Sequence, residues 1–189
     1  MSNEAGKLFI ISAPSGSGKS TVISEILKQK EDVFFSVSAT TRKPRDGEVD
    51  GVVYHFISRE IFENMIKSNE FLEYAEYVGN FYGTPRRPIE EKMRDGFDVI
   101  LDIEIQGHHQ IKTEMPNSVS IFLVPPSFEE LERRLRSRGT DSEEKIRSRL
   151  EKATHEMQQM EHYDYVVVSD IAKRSADEII SIMADEHKK

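Results

Sequence analysis

Ala13-Pro14-Ser15-Gly16-Ser17-Gly18-Lys19-Ser20 decides how this 189-residue chain is read. The apolar run Leu8-Phe9-Ile10-Ile11 leads into it, and a helix-like segment, Thr21 to Lys30, follows. Strand, glycine-rich turn, Gly-Lys-Ser and helix make a phosphate-binding loop of the P-loop type. Small residues let the backbone curl so that several N–H groups converge on one anion. A helix beginning at Ser20 adds the positive end of its dipole. Lys19 brings a mobile charge to the β- and γ-phosphates of a nucleotide, and the Ser20 hydroxyl can ligate Mg²⁺. Ala13 stands where the first glycine usually does. Alanine resists a left-handed backbone, so an ordinary conformation is expected there.

Bulk properties narrow the classes. The length suits one domain with subdomains and a real core. The formal net charge is −8, which argues against a general nucleic-acid binder while leaving room for a local basic pocket. The chain has no cysteine, so disulfides, thiolate metal sites and thiol nucleophiles are excluded. Six histidines show no metal-ligand spacing; the adjacent pair His108-His109 cannot share a helix face. No apolar run approaches membrane-spanning length, and Met1-Ser2-Asn3-Glu4-Ala5-Gly6 lacks the parts of a signal peptide. A soluble, cytoplasmic protein is the expectation.

Taken outward from the loop, the pattern predicts a strand at 7–12, a second at 33–37 and an ordered polar loop at 38–51. Val52 to Ile57 alternates as a strand does. Ser58 is expected to cap a helix with an apolar stripe of Ile61, Phe62, Met65 and Ile66. Phe71 to Val78 and Phe81 to Gly83 read as paired strands around a Gly79-Asn80 turn. Thr84 is expected to cap the next helix, with Pro85 at its first position and an end near Gly96. Buried strands are predicted at 98–103 and 118–124, and a last strand at 165–168. Ser127 with Glu130 predicts a capping box for a helix to Arg138. A long helix follows from about Thr140, with Ile146, Leu150, Ala153, Met157 and Met160 on its buried face. Ser175 with Glu178 predicts the cap of the last helix. Strands alternating with helices give an α/β fold, a parallel sheet covered on both sides. The stretch from Ser38 to about Asp95 suits a small mixed insertion after the second core strand.

Several side chains stand out. Arg42 and Arg45, three apart, are able to clamp a phosphate. Tyr54 and Tyr82 near strand ends can donate to the same anion. Asp102, late in a buried strand, needs a partner or a metal, because an unpaired buried carboxylate costs several kcal/mol. Behind a P-loop, such an Asp commonly faces Mg²⁺ or its water shell. Alternation alone leaves Glu73 exposed to solvent. Arg134 and Arg138, with Arg147 and Arg149, read either as a solvated helix pair or as a lid that drops onto transferring phosphates.

Together these residues resemble the guanylate kinase family. The resemblance rests on Ala13 to Ser20, Ser36-Val37-Ser38-Ala39-Thr40-Thr41-Arg42-Lys43-Pro44-Arg45, Gly47-Glu48-Val49-Asp50-Gly51, Tyr54, Glu70-Phe71-Leu72-Glu73, Gly79-Asn80-Phe81-Tyr82-Gly83-Thr84, Ile100-Leu101-Asp102-Ile103, Gln106-Gly107 and Arg138-Gly139. It implies a P-loop NTPase-type core with an inserted α+β nucleotide-monophosphate-binding subdomain and a helical lid. It implies transfer of a phosphoryl group from MgATP to GMP or dGMP.

By position, the resemblance puts ATP on Ala13, Pro14, Ser15, Gly16, Ser17, Gly18, Lys19, Ser20 and Thr21. Arg42, Arg45, Tyr54 and Tyr82 would hold the GMP phosphate, and Ser38, Glu73 and Thr84 would read guanine. Asp102 would lie between GMP and the Mg²⁺ shell, sharing the metal with Ser20, in its case through water. Lys19, Arg42 and the lid arginines Arg134, Arg138 and Arg149 would be catalytic. Core segments at 1–37, 96–126 and 150–189 would flank a GMP-binding subdomain at 38–95 and a lid at 127–149. Subdomain and lid are expected to close on the core. Ser169-Asp170 stands where the family often shows Asn-Asp, which predicts a weaker adenine contact. Oligomeric state is left open.

A phosphate nucleophile is already largely ionised near neutral pH, so no strong base is required. Fixed cations must instead offset two polyanions and the charge on the moving group. Guanine's N1–H and amino donors suit one carboxylate, such as Glu73. The rivals are a protein-binding module of the same family without catalysis, and a P-loop kinase for another acceptor. A regulatory GTPase is disfavoured, because no Asn-Lys-x-Asp motif occurs.

Overall fold

Apolar runs separated by amphipathic helices form a parallel sheet with helices on its faces, as the sequence pattern requires. The computed structural model describes residues 5–137, 139 and 141–189. Its elements are β1 (Leu8–Ser12), α1 (Lys19–Gln29), β2 (Val33–Ser36), β3 (Ala39–Thr40), β4 (His55–Phe56), α2 (Arg59–Lys67), β5 (Phe71–Tyr77), β6 (Asn80–Pro85), α3 (Arg86–Arg94), β7 (Asp98–Asp102), α4 (Ile105–Glu114), β8 (Val119–Val124), α5 (Phe128–Ser137), α6 (Glu143–Met157), β9 (Tyr165–Val168) and α7 (Ala172–Glu186). The five-stranded sheet runs β2-β7-β1-β8-β9, with β2 on β7, β1 on β8 and β8 on β9 all parallel. A four-stranded sheet, β4-β3-β6-β5, falls in sequence between β2 and β7. Among the described residues no helix is long and apolar enough to cross a membrane.

The chain divides into two compact units. One holds residues 9–31, 102–105 and 119–189. Here Phe9, Ile10 and Ile11 of β1 and Ile121, Phe122 and Leu123 of β8 are wholly buried, as a sheet covered on both faces demands. α1 contributes Val22 and Ile26, and α7 contributes Ala176 and Ile179. Leu131 and Leu135 of α5 pack on Ile146, Leu150 and Ala153 of α6. The Ser127 hydroxyl accepts from Glu130 N–H at 3.2 Å, and Ser142 caps α6 by accepting from Lys145 N–H.

The other unit holds residues 5–8, 32–101 and 106–118 among those described. Its small core is Ala39, Phe62 and Phe71, with Ile57, Met65, Ile66 and Phe81 packed around them. Phe62 stacks on Phe71 at 4.3 Å and on Phe81 at 5.2 Å. Ser58 caps α2, as predicted, through Ile61 N–H.

The structure departs from the sequence reading at definite places. Gly51 adopts a left-handed φ of 74°, and Val52 and Val53 turn back on Val49 O, so the predicted strand shrinks to His55–Phe56. The 38–51 loop contains the short strand β3, paired with β6. The hairpin turn is Val78-Gly79, both left-handed, and Asn80 already belongs to β6. Ile61 lies outside the apolar stripe and is 51% exposed. Thr84 lies in β6 and caps nothing; α3 begins at Arg86 after Pro85. α6 ends at Met157, and Met160 falls in a 3₁₀ turn, Gln158–His162. α7 starts at Ala172, so Ser175 is interior to it and donates to Val168 O and Ile171 O.

Candidate active site

The unit built on β1 carries the phosphate loop. Gly16 and Gly18 have φ of 99° and 87°, which side-chain-bearing residues rarely adopt. Ala13 is absent from the left-handed residues, as expected of alanine. The turn closes through Ser17 N–H to Pro14 O at 3.1 Å. Gly18 is the N-cap of α1, so Lys19 and Ser20 are its first helical residues, one residue earlier than predicted. With Thr21 they put the amide end of an eleven-residue helix at the loop. Ser17 is wholly buried, and its hydroxyl has no hydrogen-bond partner among the described residues. Such an orphan polar group fits a loop built to meet an anion.

Lys19 is ion-paired with Asp102 and donates to Ile103 O at 3.3 Å. The Ser12 hydroxyl donates to the same carbonyl at 3.0 Å, tying the end of β1 to the segment after β7. The buried strand therefore delivers Asp102 to the loop lysine, which gives the carboxylate the partner it needs.

The arginines expected in a lid have separate settings. Arg134 donates to Ser17 O at 3.2 Å and to Asp170 O at 3.3 Å, and its Nε meets Glu130 at 2.7 Å. It thus lies at the loop itself. Arg149 pairs with Asp141 at 2.9 Å, beside the Lys145–Asp141 pair at 2.7 Å. Arg138 lies outside the described residues. Ser169, singled out as a departure from the family pattern, is buried and donates to Ser17 O at 2.5 Å. Its hydroxyl thus braces the loop from β9's end, a role its residue type alone does not reveal.

The second unit gathers two clusters. In the first, the Thr84 hydroxyl donates to Glu73 Oε1 at 2.6 Å. Glu73 and Thr84 face each other across β5 and β6, and Ser38 immediately precedes Ala39, the partner of Gly83. The register therefore lines up Ser38, Thr84 and Glu73 along one row of the sheet. Glu73 is half-buried rather than exposed, and burial pushes its carboxyl above the ordinary 4.5 while the Thr84 hydrogen bonds pull it back.

In the second cluster, Arg42 makes a two-bond fork with Glu48. The Arg42 guanidinium lies 5.6 Å from the Tyr54 ring, which meets Tyr82 edge-on at 5.8 Å. Arg45 is exposed at its side chain and gives its backbone N–H to Glu48 at 2.7 Å. Sequence reasoning gave Glu48 no role, although an acid six residues past Arg42 in a Gly-containing turn was the available signal.

A family model described as guanylate kinase matches residues 5–186. The guanylate kinase of Oceanobacillus iheyensis is 48% identical over 189 residues, 100% of this chain and 92% of that protein. That of Clostridioides difficile is 50% identical over 184 residues, 97% of this chain and 90% of that one. Among solved structures, guanylate kinase from Anaplasma phagocytophilum matches with a TM-score of 0.79 at 37% identity, covering 98% of this chain and 88% of that chain.

Proposed function

The chain belongs to the guanylate kinase family, and from that premise we propose that it transfers the terminal phosphoryl group of ATP to GMP, and likewise to dGMP, releasing ADP and GDP. The observation that carries this reading is the intact Gly18-Lys19-Ser20 loop with Lys19 beside Asp102. A module kept only for protein binding has no use for a lysine held beside a carboxylate at a helix N-terminus.

In the proposed reaction, the loop amides and Lys19 bind the ATP phosphates. Lys19 exchanges its bond to Asp102 for the β- and γ-phosphates. Arg42 and Arg45, with the Tyr54 and Tyr82 hydroxyls, hold the GMP phosphate. Glu73, steadied by Thr84 and joined by Ser38, accepts guanine's N1–H and amino protons. Adenine lacks that donor pair and would leave the carboxylate unanswered, a mismatch that can discriminate by on the order of 10⁴-fold. Arg134, Arg138 and Arg149 offset charge on the phosphoryl group in flight.

The oxygen donors present suit Mg²⁺, a hard cation that takes few protein ligands and several from phosphates and water. Among the described residues no cluster of three His, Cys, Asp or Glu forms a self-sufficient metal cage. The Ser20 hydroxyl would hold the ion directly and Asp102 through water. When bound, Mg²⁺ offsets phosphate charge. Residues 38–95 are proposed as the GMP-binding subdomain and 127–149 as the lid. The reaction belongs to purine nucleotide metabolism in the cytoplasm.

ADP release with ATP and magnesium, assayed against GMP, dGMP, AMP, UMP and no acceptor, tests this reading. Turnover confined to GMP and dGMP is expected. Turnover with AMP or UMP would favour another acceptor, and none at all, with no ATP binding, would favour the non-catalytic module.

A further inference from the structure

Gly107 is the third residue of α4, and its backbone is not left-handed. Nothing in its dihedrals asks for glycine. Its surroundings do. A Cβ at this position would lie 2.9 Å from Glu73 Oε2, 3.1 Å from Glu73 Cδ and 3.3 Å from Glu73 Cγ. The Glu73 carboxylate thus has one oxygen on the Thr84 hydroxyl and the other against the bare Cα of Gly107.

The helix cannot simply retreat. The Gln110 side chain, one turn on, accepts from Tyr74 N–H at 3.2 Å and donates to Tyr74 O at 3.3 Å. Both bonds go to the residue next to Glu73. At the helix end Glu114 pairs with Arg86 at 2.7 Å. With α4 fastened to β5 at that point, an added methyl group has one cheap outlet, the flexible end of Glu73.

We propose that Gly107 is a positioning residue for base recognition: its missing side chain keeps the Glu73 carboxylate against Thr84, aimed to accept two N–H groups of guanine. This rests on the reading of Glu73 as the guanine acceptor. The consequence is unequal for folding and for function. Alanine favours a helix over glycine, which offsets much of the cost of the displaced Glu73–Thr84 bond, so Gly107→Ala changes stability little. The same methyl group displaces the one carboxylate that discriminates the base.

The test compares wild type, Gly107→Ala, Glu73→Gln and the double variant by thermal melting and by kinetics with GMP, AMP and ATP varied in turn. Gly107→Ala is expected to hold its Tm, to raise the KM for GMP by roughly 10- to 100-fold, the worth of a hydrogen bond to a charged group, and to lower the GMP-over-AMP ratio of kcat/KM. The KM for ATP stays put. In the Glu73→Gln background the same substitution adds less than about twofold, because its effect runs through Glu73. An unchanged GMP KM, or an equal loss in both backgrounds, overturns the proposal. Should Gly107→Ala melt below the assay temperature, Gln110→Ala serves instead: releasing α4 from Tyr74 must raise the GMP KM alone, and an indifferent GMP KM overturns the proposal. A wild-type chain that makes no GDP refutes the functional reading itself; one that makes GDP beside an indifferent Gly107→Ala refutes only this inference.

Discussion

Arg42 and Glu48 are locked together by two parallel hydrogen bonds, Nη1 to Oε2 at 2.8 Å and Nη2 to Oε1 at 2.9 Å. The rings of Tyr54 and Phe56 lie 5.6 and 5.5 Å from the same guanidinium. The arginine's pose is therefore fixed by its neighbours before any anion arrives, which removes part of the ordering cost of binding.

Replacing Glu48 by alanine frees that guanidinium. The KM for GMP is expected to rise on the order of tenfold, the size of one charged hydrogen-bond contact, with the KM for ATP unmoved. Initial rates with each substrate varied in turn check this. A lowered GMP KM would mean instead that Glu48 competes with phosphate.

The same carboxylate carries a pH signature. Arg42, with the Arg45 backbone, holds Glu48 down from 4.5 to about 2, and Arg133 with Arg134 does the same for Glu130. A depressed folded pKa means that the unfolded chain binds the proton more readily, so stability falls as pH drops. The contribution is whole above the unfolded value of 4.5 and is lost on the way to about 2. Melting curves from pH 6 downward in the wild type and in Glu48→Gln with Glu130→Gln should show a shallower acid slope in the variant. High salt should narrow the gap, since both pairs meet solvent.

Lys19 changes partners in the proposed reaction, leaving Asp102 for phosphate. Lys19→Ala is expected to lower kcat by about 10²- to 10³-fold, as loss of one preorganised donor does. Single-turnover rates at saturating nucleotide separate this from weaker ATP binding. An unchanged chemical step would remove Lys19 from the transition state.

Phe62 anchors the four-stranded sheet, wholly buried and stacked on two rings. Phe62→Ala should cost about 3–5 kcal/mol, the usual range for truncating a core aromatic. Gly83 leaves no slack there, because a Cβ on it would come within 2.9 Å of Phe62 Cζ. Calorimetric titration should show GMP binding weakened more than ATP binding.

Much of this was legible in the residues. β1, the loop and α1 follow from periodicity and two glycines, and Ser58 and Ser127 cap the helices that their spacing predicts. The failures share a cause. Thr84 and Ser175 are capping residues by type, yet Glu73, eleven residues away, claims the Thr84 hydroxyl, and carbonyls of the preceding turn claim Ser175. A sequence shows which groups can hydrogen-bond and leaves open which partner wins. Glu73 itself reads as exposed by alternation; only the approach of α4 at Gly107 makes its site confined. The parts played by Glu48, which forks Arg42, and by the Ser169 hydroxyl, which braces Ser17 O, were not legible, because each acts on another residue's pose.

The central claim is that one acid, Glu73, checks the base while fixed cations reconcile two anions. Its most direct test is the ratio of kcat/KM for GMP over AMP, measured in the wild type and in Glu73→Gln with ATP and magnesium saturating. The account predicts a large ratio in the wild type that falls by at least about 100-fold in the variant, given what unpaired base contacts are worth. A ratio that stays the same in Glu73→Gln would contradict it.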